Sequence, residues 1–480
     1  MKLSALLAAL PDVCPAPSSD PDITEICTDP RAVTPSSLFI ALRGLHHDAH
    51  RDLCTLSPRP SAAVILSDYQ GPLPEDLPVF RTKSTRRASA LLHSRFYGDP
   101  GRELVLVAVT GTNGKTSTTH MLRAILRAAA IPCEVIGTLS GTLTTPDPPE
   151  LYRLMRQYAD QGCQAILLEA SSHALALEKL DALKPDYGIF TNLTPEHLDF
   201  HHTIEEYRRA KERLFSLCRI GILNQDDPSA PLISQSATCP ILTYGIADER
   251  SDYHARNLNL KKNGAVRYDC RSGDLIFRVD CPIPGRFTVY NTLAAIACAH
   301  HMGIPLPCIR AALAGMPPIP GRLERLSLGR CPFSVYLDYA HTPDALENVL
   351  LTLRASMLPH SRLTLLFGCG GDRDKSKRPM MGAIAARLCD RIIVTSDNSR
   401  SEDPAAIIDD ILVGIGKAVP HVVIQSRAAA IDYAVRTAAG GETLLLCGKG
   451  HETYEIDASG RHPFSERDLV RVACEKYYGL

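Results

Sequence analysis

Short apolar runs recur along the chain from residue 104 onward, and each run ends at polar residues that are followed by a helical pattern. These runs span residues 104–109, 165–168, 187–190, 221–223, 335–337, 363–367, 392–394 and 443–447. Strands that alternate with helices in this way predict a parallel sheet with helices on its faces. Because ligands bind beyond the carboxyl ends of such strands, the polar residues there are candidate site residues.

The first of these runs leads into Gly111–Thr116, a glycine-rich loop that ends in Gly-Lys-Thr and precedes a helical pattern. Glycines let backbone N–H groups converge on phosphate oxygens, and the helix N-terminus adds partial positive charge. We therefore expect a nucleotide site, with Lys115 at the β- and γ-phosphates and the Thr116 hydroxyl on Mg²⁺. The first glycine of the common longer pattern falls at Val109, so this loop is a shorter variant. Taken alone, it is also compatible with a glycine-rich turn that carries a surface lysine.

The position of this loop predicts an α/β fold with three domains. A glycine loop so far from the start leaves room for a small mixed α/β N-terminal domain in residues 1–98. Residues 99–320 are predicted to form a central P-loop ATPase-like domain with a parallel sheet. The proline-rich segment 316–321 is predicted to be a linker. The alternation restarts after it and predicts a C-terminal Rossmann-like domain in residues 321–480.

Composition and net charge limit the kinds of partner, and the cellular compartment, that we expect for this chain. The 480 residues carry a formal net charge of -1, so we expect neither nucleic acid nor a membrane surface as a partner. The 16 cysteines show no zinc-ligand spacing, and in a chain of this length they are typical of reduced thiols in the cytoplasm. Residues 1–10 are predicted to form an amphipathic helix rather than a secretory signal. No apolar run approaches the ~20 residues of a membrane span.

A series of motifs, in order along the chain, resembles those of the Mur ligases. They are GTNGKT at 111–116, EASSHAL at 169–175, NLTPEHLDFH at 192–201, YRRAK at 207–211, PGRFTVYN at 284–291, GRLE at 321–324, DYAHTPDAL at 338–346, GCGGDRDKSKRP at 368–379 and GKGHE at 448–452. Mur ligases are usually monomeric enzymes that use ATP to add amino acids to peptidoglycan precursors. The later motifs, with TTPD at 144–147, resemble the branch that adds meso-2,6-diaminopimelate to UDP-N-acetylmuramoyl-L-alanyl-D-glutamate. The resemblance implies an acyl-phosphate intermediate.

The resemblance implies a site for two Mg²⁺ ions. Glu169 would share one ion with Thr116, and His197 would bind the second together with Lys211, whose amine would have condensed with CO₂ to a carbamate. From the residues alone, Glu169 could instead cap a helix and His197 could be structural. Lys211 could equally lie on a solvated charged face.

The resemblance also implies the nucleotide contacts and the catalytic set. ATP would be bound by Gly111, Thr112, Asn113, Gly114, Lys115, Thr116, Asn291, Arg322, Asp338 and His341. The catalytic residues would be Lys115, Glu169, His197, carbamylated Lys211 and Arg322. Arg322 lies beside the predicted linker, from which domain closure could bring it onto the phosphates. Asp338 would bind the ribose, although a carboxylate at a strand end could also cap a turn.

For the UDP-sugar peptide, the resemblance implies contacts by Ser37, Thr144, Thr145, Asp147, Ser171, His173 and Lys179. Lys179 stands where the family commonly has an arginine, and lysine keeps the charge but loses the planar fork. In residues 29–39, which resemble the uridine-binding block, Pro30 and Ser36 replace a serine and a glycine of the family pattern.

For diaminopimelate, the resemblance implies contacts by Arg373, Asp397, Asn398, Arg400, Gly448 and Glu452. Arg400 would pair with the distal carboxylate and Glu452 with the distal ammonium. Lysine lacks that carboxylate and would leave Arg400 without a partner. Ser399 replaces the proline of the family motif and lacks its fixed φ.

Three alternatives share part of this pattern. The acceptor could be L-lysine or another diamino acid, or the chain could be a related Mur or folylpolyglutamate-type ligase. A P-loop kinase or GTPase would need neither the second metal histidine nor a third domain with a polar rim. A regulator that has lost catalysis would not need to keep Lys115, Glu169, His197 and Lys211 together.

Overall fold

The computed structural model describes residues 1–479 except 14–16, 18, 45–46, 142, 262–263, 330, 359 and 418. The described residues form three larger sheets and one two-stranded hairpin. Each predicted segment contains one of the larger sheets, and the domain boundaries stay a prediction. The α/β fold class is confirmed.

The N-terminal sheet has four parallel strands in the order β1-β2-β3-β4. Its elements are α1 (Leu3–Leu7), β1 (Glu25–Cys27), β2 (Ser37–Ile40), β3 (Ala62–Leu66), β4 (Val79–Thr82) and α2 (Thr85–Phe96), with 3₁₀ turns at Pro30–Ala32, Ala49–Asp52 and Pro100–Arg102. Leucines of α1 and α2 pack on Leu38 and Ile40 of β2. The helix predicted over residues 1–10 is therefore present but shorter.

The central sheet has nine strands in the order β13-β12-β11-β10-β9-β8-β5-β7-β6. The strands are β5 (Val105–Thr110), β6 (Cys133–Ile136), β7 (Ala165–Glu169), β8 (Tyr187–Phe190), β9 (Ile220–Asn224), β10 (Ile241–Gly245), β11 (Tyr253–Leu260), β12 (Ala265–Ser272) and β13 (Leu275–Pro284). The helices are α3 (Lys115–Ala128), α4 (Pro148–Asp160), α5 (Ser172–Ala176), α6 (Leu198–His201), α7 (Ile204–Glu212), α8 (Leu214–Leu217), α9 (Ala230–Ser236), α10 (Arg286–His301) and α11 (Leu306–Ala314). Strands β5 to β11 pair in parallel, and β12 and β13 extend the sheet in antiparallel fashion.

The C-terminal sheet has six strands in the order β14-β15-β19-β16-β17-β18. The strands are β14 (Glu324–Arg325), β15 (Ser334–Asp338), β16 (Leu363–Phe367), β17 (Arg391–Val394), β18 (His421–Val423) and β19 (Thr443–Cys447), followed by the hairpin β20 (Tyr454–Asp457) and β21 (Gly460–Pro463). The helices are α12 (Pro343–Ser356), α13 (Lys377–Leu388), α14 (Pro404–Ile415), α15 (Arg427–Arg436) and α16 (Glu466–Tyr478). Only β14 pairs antiparallel within this sheet.

The parallel strands carry the polar segments to one edge of each sheet. In the central sheet, β5 lies between β7 and β8, so the loops after these three strands are neighbours. In the C-terminal sheet, β15, β19, β16 and β17 are adjacent, which confirms the predicted shared rim. Within the described part of the chain, no helix is long and apolar enough to cross a bilayer.

Candidate active site

The glycine-rich loop connects β5 to α3, and its backbone conformation requires glycine at two positions. Gly111 has a φ of 147° and Gly114, which precedes α3, has a φ of 89°. A Cβ on Gly111 would collide with the Thr191 hydroxyl, and one on Gly114 would lie 2.6 Å from Oδ1 of Asn291. The loop is therefore packed tightly against the residues that follow β8 and against α10.

The segment after β8 holds the loop from its other side. The backbone N–H of Thr112 donates to the carbonyl of Asn192 (2.9 Å), and that of Asn113 donates to Asn192 Oδ1 (2.9 Å). The Thr191 hydroxyl donates to the carbonyl of Asn113 (2.6 Å). Asn192 opens the predicted motif at 192–201, so this motif supports the phosphate loop as well as carrying His197.

Lys115 lies folded back over the loop. Its Nζ donates to the carbonyls of Gly111 (2.8 Å) and Thr112 (2.9 Å). Burial lowers the pKa of Lys115, and the carboxylates of Glu196 and Glu169 oppose that shift. The ammonium makes no ion pair within the described residues, which leaves its charge available to an anionic ligand.

Glu169 ends β7 and is fully buried beside the loop. Its Oε2 accepts from the hydroxyls of Thr116 (3.0 Å) and Thr138 (2.9 Å), and Oε1 accepts from the Thr138 N–H (3.1 Å). All of these donors are neutral, and Glu169 forms no ion pair with the described side chains. A buried carboxylate and a threonine hydroxyl, with no cation of the chain bound to either oxygen of the acid, form a donor set that suits Mg²⁺.

Arg322 lies in the segment that joins the central sheet to the C-terminal sheet, and its side chain extends to Thr116. Its Nη2 donates to Oγ1 of Thr116 (2.9 Å), and its guanidinium lies 4.8 Å from the ring centroid of Tyr339. The Nε atom of Arg322 is buried without a hydrogen-bond partner among the described residues. A guanidinium with a free N–H at this position can donate to a phosphate oxygen.

His197 precedes the short helix α6 and has a left-handed φ of 57°. Its ring lies 4.8 Å from that of His173 and 6.1 Å from that of Tyr207. Burial lowers the pKa of His197 to about 3, although Glu196 opposes the shift. The imidazole is therefore neutral at pH 7, which is the form that binds metal ions.

Lys211 is 1% exposed on α7, which contradicts a solvated charged face at this position. Its Nζ lies 4.2 Å from the ring centroid of Tyr207 and has no ion pair within the described residues. Burial, with a smaller contribution from Lys115, lowers the pKa of Lys211 well below its ordinary value. A neutral amine is the form that reacts with CO₂, so the environment suits a carbamate.

Two contacts between the central and C-terminal sheets were not predicted from the sequence. Glu196 Oε1 lies 3.0 Å from Nε2 of His341, whose Nδ1 lies 2.8 Å from the carbonyl of Tyr339. Through its two ring nitrogens, His341 thus connects the carboxylate of Glu196 with the C-terminal sheet. In addition, Nδ2 of Asn113 donates to Asp344 Oδ2 (3.0 Å) at the start of α12. These contacts close the C-terminal rim over the phosphate loop.

A cavity of about 560 Å³ lies between these two rims. The central sheet contributes Glu196 and His197, and the C-terminal sheet contributes Asn398, Arg400 and Glu452. The structure thus brings the predicted metal ligand His197 and the predicted amino-acid contacts to one space.

Within this cavity, the predicted amino-acid contacts form a hydrogen-bonded shelf. Asn398 Nδ2 donates to Glu452 Oε2 (2.8 Å), and Arg400 Nη1 donates to the carbonyl of Gly371 (2.8 Å). Burial raises the pKa of Glu452 and lowers that of Arg400. Arg400 makes no ion pair with the described carboxylates. The cavity therefore offers a carboxylate on one side and a cation without a counterion on the other.

The remaining predicted shelf residues have structural contacts. Asp397 is buried and accepts from the backbone N–H of Asn398 (2.6 Å). Gly448 has a φ of 111°, and a Cβ there would collide with Asp397 Oδ2. Arg373 is exposed at the cavity wall and donates to the carbonyl of Asp372 (2.9 Å).

The sugar contacts predicted in the central sheet lie beside Glu169. Oγ1 of Thr145 donates to the carbonyl of Glu169 (2.7 Å) and accepts from the Ser171 N–H (3.0 Å). Thr144 lies next to Thr145, and its Oγ1 is 3.2 Å from that of Thr138. Lys179 forms an ion pair with Asp147 (2.7 Å).

Ser37 lies apart from this group in β2. It is fully buried, and its hydroxyl donates to the carbonyl of Thr34 (2.8 Å). No hydrogen bond among the described residues joins it to the other sugar contacts. In the same block, Arg31 pairs with Asp29 at 2.7 Å. The uridine contact stays a prediction.

Asp338 and Asn291 have local partners. The carboxylate of Asp338 accepts from the backbone N–H of Leu323 (2.5 Å) and of Ala340 (2.7 Å), so it caps a turn and anchors the segment that carries Arg322. Asn291 Oδ1 accepts from the Thr118 hydroxyl (3.5 Å). Their nucleotide contacts stay predictions.

The chain is similar to known proteins over nearly its whole length. A family model described as Mur ligase middle domain matches residues 109–299, and one described as Mur ligase, glutamate ligase domain matches residues 321–450. A UDP-N-acetylmuramoyl-L-alanyl-D-glutamate–2,6-diaminopimelate ligase of Geobacillus kaustophilus (strain HTA426) is 39% identical over 496 residues, which covers 99% of this chain and 100% of the relative. The ligase of that name from Syntrophomonas wolfei subsp. wolfei (strain DSM 2245B / Goettingen) is 40% identical over 476 residues, or 96% of each chain. A solved structure of a ligase of that name has a TM-score of 0.69 at 30% identity and covers 99% of both chains.

Proposed function

The chain belongs to the Mur ligase family, and we propose that it joins meso-2,6-diaminopimelate to UDP-N-acetylmuramoyl-L-alanyl-D-glutamate at the expense of ATP. The observation that carries this proposal is the cavity in which His197 and Glu196 face Asn398, Arg400 and Glu452. It would hold an activated carboxyl group and an incoming amino acid side by side. The product is a precursor of peptidoglycan.

The reaction needs an activated acyl group, because a carboxylate is a poor acyl donor. The terminal carboxylate oxygen of the UDP-linked peptide attacks the γ-phosphorus of ATP, and the bond to ADP breaks. The amine of diaminopimelate then attacks the acyl carbon of the resulting acyl phosphate. The bond to phosphate breaks, the amine loses a proton, and an amide remains. Such phosphoryl transfer depends on positioning and on neutralisation of charge.

ATP is assigned to the loop Gly111–Thr116. The backbone N–H groups at the start of α3 would bind the phosphates, and Lys115 would exchange its loop carbonyls for phosphate oxygens. Arg322 would donate to the transferring phosphate through its Nε–H, which has no acceptor among the described residues. Asn291 is assigned to the adenine, Asp338 to the ribose, and His341 to a position near the nucleotide.

Two Mg²⁺ sites are assigned on the donor sets. Thr116 and Glu169 would bind one ion, and His197 with carbamylated Lys211 would bind the other. The ions would neutralise charge on the phosphates and the acceptor carboxylate. Lys211 supports the second assignment because its neutral amine can form a C–N bond to CO₂ and release one proton. The carbamate that results turns a buried cationic residue into an oxygen ligand.

The amino acid is assigned to the shelf in the cavity, and the UDP-linked peptide to the predicted sugar contacts. Arg400 would bind the distal carboxylate of diaminopimelate bidentately, and Glu452 would bind the distal ammonium. L-lysine would leave Arg400 without an anion, which disfavours lysine as the acceptor. Thr144, Thr145, Asp147, Ser171, His173 and Lys179 are assigned to the muramoyl peptide, and Ser37 to the uridine end.

The release of phosphate from ATP tests this function. Phosphate should form only when the UDP-linked dipeptide and diaminopimelate are both present, since the acyl phosphate is consumed by the amine. A nucleotide hydrolase or switch would release phosphate without either compound. Phosphate release that requires neither substrate would therefore refute the ligase assignment.

A further inference from the structure

Lys449 is a fully buried lysine at the amino-acid shelf, and none of the roles assigned above uses it. It lies in the GKGHE motif, directly after Gly448. Its Nζ donates to Asn398 Oδ1 (2.9 Å) and to the carbonyl of Tyr454 (3.0 Å). The ring of Phe464 lies 5.3 Å from the ammonium and helps to exclude water. Lys449 therefore donates its hydrogen bonds to residues at the shelf rather than to solvent.

These contacts fix which way the Asn398 amide points. Oδ1 of Asn398 accepts from the Lys449 ammonium and from the backbone N–H of Ile456 (2.9 Å). Both partners can only donate, so they must face the amide oxygen. The amide nitrogen is then turned toward Glu452, and it donates to Oε2 at 2.8 Å.

Lys449 lies between two carboxylates of the shelf. Its Nζ is 3.7 Å from Asp397 and 4.0 Å from Glu452, while Arg427 is paired with Glu466 at 2.8 Å. Arg400 also interacts electrostatically with Asp397 and Glu452. Glu452 lines the cavity, where its carboxylate can receive a cation.

We propose that Lys449 is a positioning residue for the amino-acid substrate: it orients Asn398 and holds Glu452 in place to receive the distal ammonium. This inference rests on the proposed function and deepens it. Lys449 does not touch the substrate. It acts through Asn398, and its ammonium offsets the negative charge of Asp397 and Glu452.

The test compares two amino acids that differ in the distal ammonium. Diaminopimelate carries it, and L-2-aminopimelate keeps the distal carboxylate but lacks the ammonium. In the Lys449→Met variant, kcat/KM for diaminopimelate should fall at least about tenfold through a higher KM, because a misoriented amide no longer supports the Glu452–ammonium contact. For L-2-aminopimelate, kcat/KM should stay within about twofold of the wild-type value, since Glu452 has no partner in that substrate. KM for ATP should not change.

Two further variants separate positioning from folding. Lys449→Arg keeps the charge and should recover part of the diaminopimelate activity. Lys476→Met removes an exposed lysine that pairs with Asp432 and should leave every parameter unchanged. Equal losses with both amino acids, or failure of both Lys449 variants to fold, would show a purely structural lysine and overturn the proposal. If the wild-type enzyme ligates neither amino acid, the proposed function fails rather than this inference.

Discussion

Nη2 of Arg322 donates a 2.9 Å hydrogen bond to Oγ1 of Thr116, a residue 206 positions earlier in the chain. Thr116 is the second residue of α3, the helix that follows the phosphate loop, whereas Arg322 lies in the segment that joins the central and C-terminal sheets. The same segment is anchored on Asp338, which accepts from the N–H of Leu323 at 2.5 Å. One arginine thus ties closure of the C-terminal rim to the phosphate site.

Replacing Arg322 should slow the chemical step. We expect Arg322→Ala to lower kcat by about 10²- to 10³-fold, because a preorganised donor to the transferring phosphate is lost. Steady-state release of ADP measures this. Arg325→Ala is the matched control, since Arg325 is exposed and donates to Ser334 at 3.1 Å. An unchanged kcat in Arg322→Ala would remove this arginine from the catalytic set.

The activity should depend on CO₂ through Lys211. Enzyme held in CO₂-free buffer should lose activity and regain it with bicarbonate, because the buried neutral amine forms the carbamate reversibly. Carbon-13 NMR in ¹³C-bicarbonate should show a carbamate signal that Lys211→Ala lacks. A short carboxylic acid such as acetate should partly restore activity to that variant. Full activity in CO₂-free buffer would contradict a carbamate at this residue.

Removing Arg400 should abolish use of diaminopimelate while the other substrates still bind. In Arg400→Ala we expect kcat/KM for diaminopimelate to fall by about 10²-fold or more, since the distal carboxylate loses its cation. Equilibrium binding of ATP and of the UDP-linked dipeptide should persist. Arg471→Ala, on the exposed face of α16, is the control. Unchanged turnover in Arg400→Ala would refute the assignment.

The buried pair Arg427–Glu466 should contribute to the fold that supports the shelf. Both residues are at most 2% exposed, and Arg427 also donates to the carbonyls of Ser396 (3.0 Å) and Cys447 (2.6 Å). Arg427→Met should lower the free energy of unfolding by about 3–5 kcal/mol, because Glu466 keeps a buried charge without a partner. Urea denaturation measures the difference. Arg250→Met, which breaks an exposed ion pair with Asp248, should have no measurable effect. Equal stability of the two variants would contradict the prediction.

Apolar runs predicted eight strands and the fold class, because buried parallel strands are continuous apolar runs, but they did not predict the parallel strands β6, β10 and β18. The sequence also contains a second pattern, alternation of buried and less buried positions, in the antiparallel extension of the central sheet. In β12, residues 265–272 alternate, with Val266, Tyr268 and Cys270 buried. The alternation is typical of a strand with one covered face. Alternation, considered together with the apolar runs, therefore predicts β12.

Charged residues on α7 show why the environment of Lys211 could not be predicted from the sequence. Tyr207, Ala210 and Lys211 form the buried face at helical spacing, while Glu205, Glu206 and Arg209 are exposed. The sequence alone does not distinguish a buried lysine on that face from a solvated one. Its burial follows from the way α7 packs in the fold, with Lys211 close enough to Lys115 for the two charges to interact.

The contacts that close the cavity were missed for a related reason. Glu196 and His341 lie 145 residues apart, and Asn113 and Asp344 lie 231 apart. No local pattern links such pairs, because their proximity depends on how two sheets pack. Lys449 was missed in the same way, although its motif was recognised.

The most direct test of the account is ATP-dependent ligation with the UDP-linked dipeptide and a panel of diaminopimelate isomers, L-lysine and L-ornithine, with the product identified by mass. We expect a product that carries meso-diaminopimelate, with ADP and phosphate formed in equal amounts. A product that carries lysine in preference, or no product with any diamino acid, would contradict it.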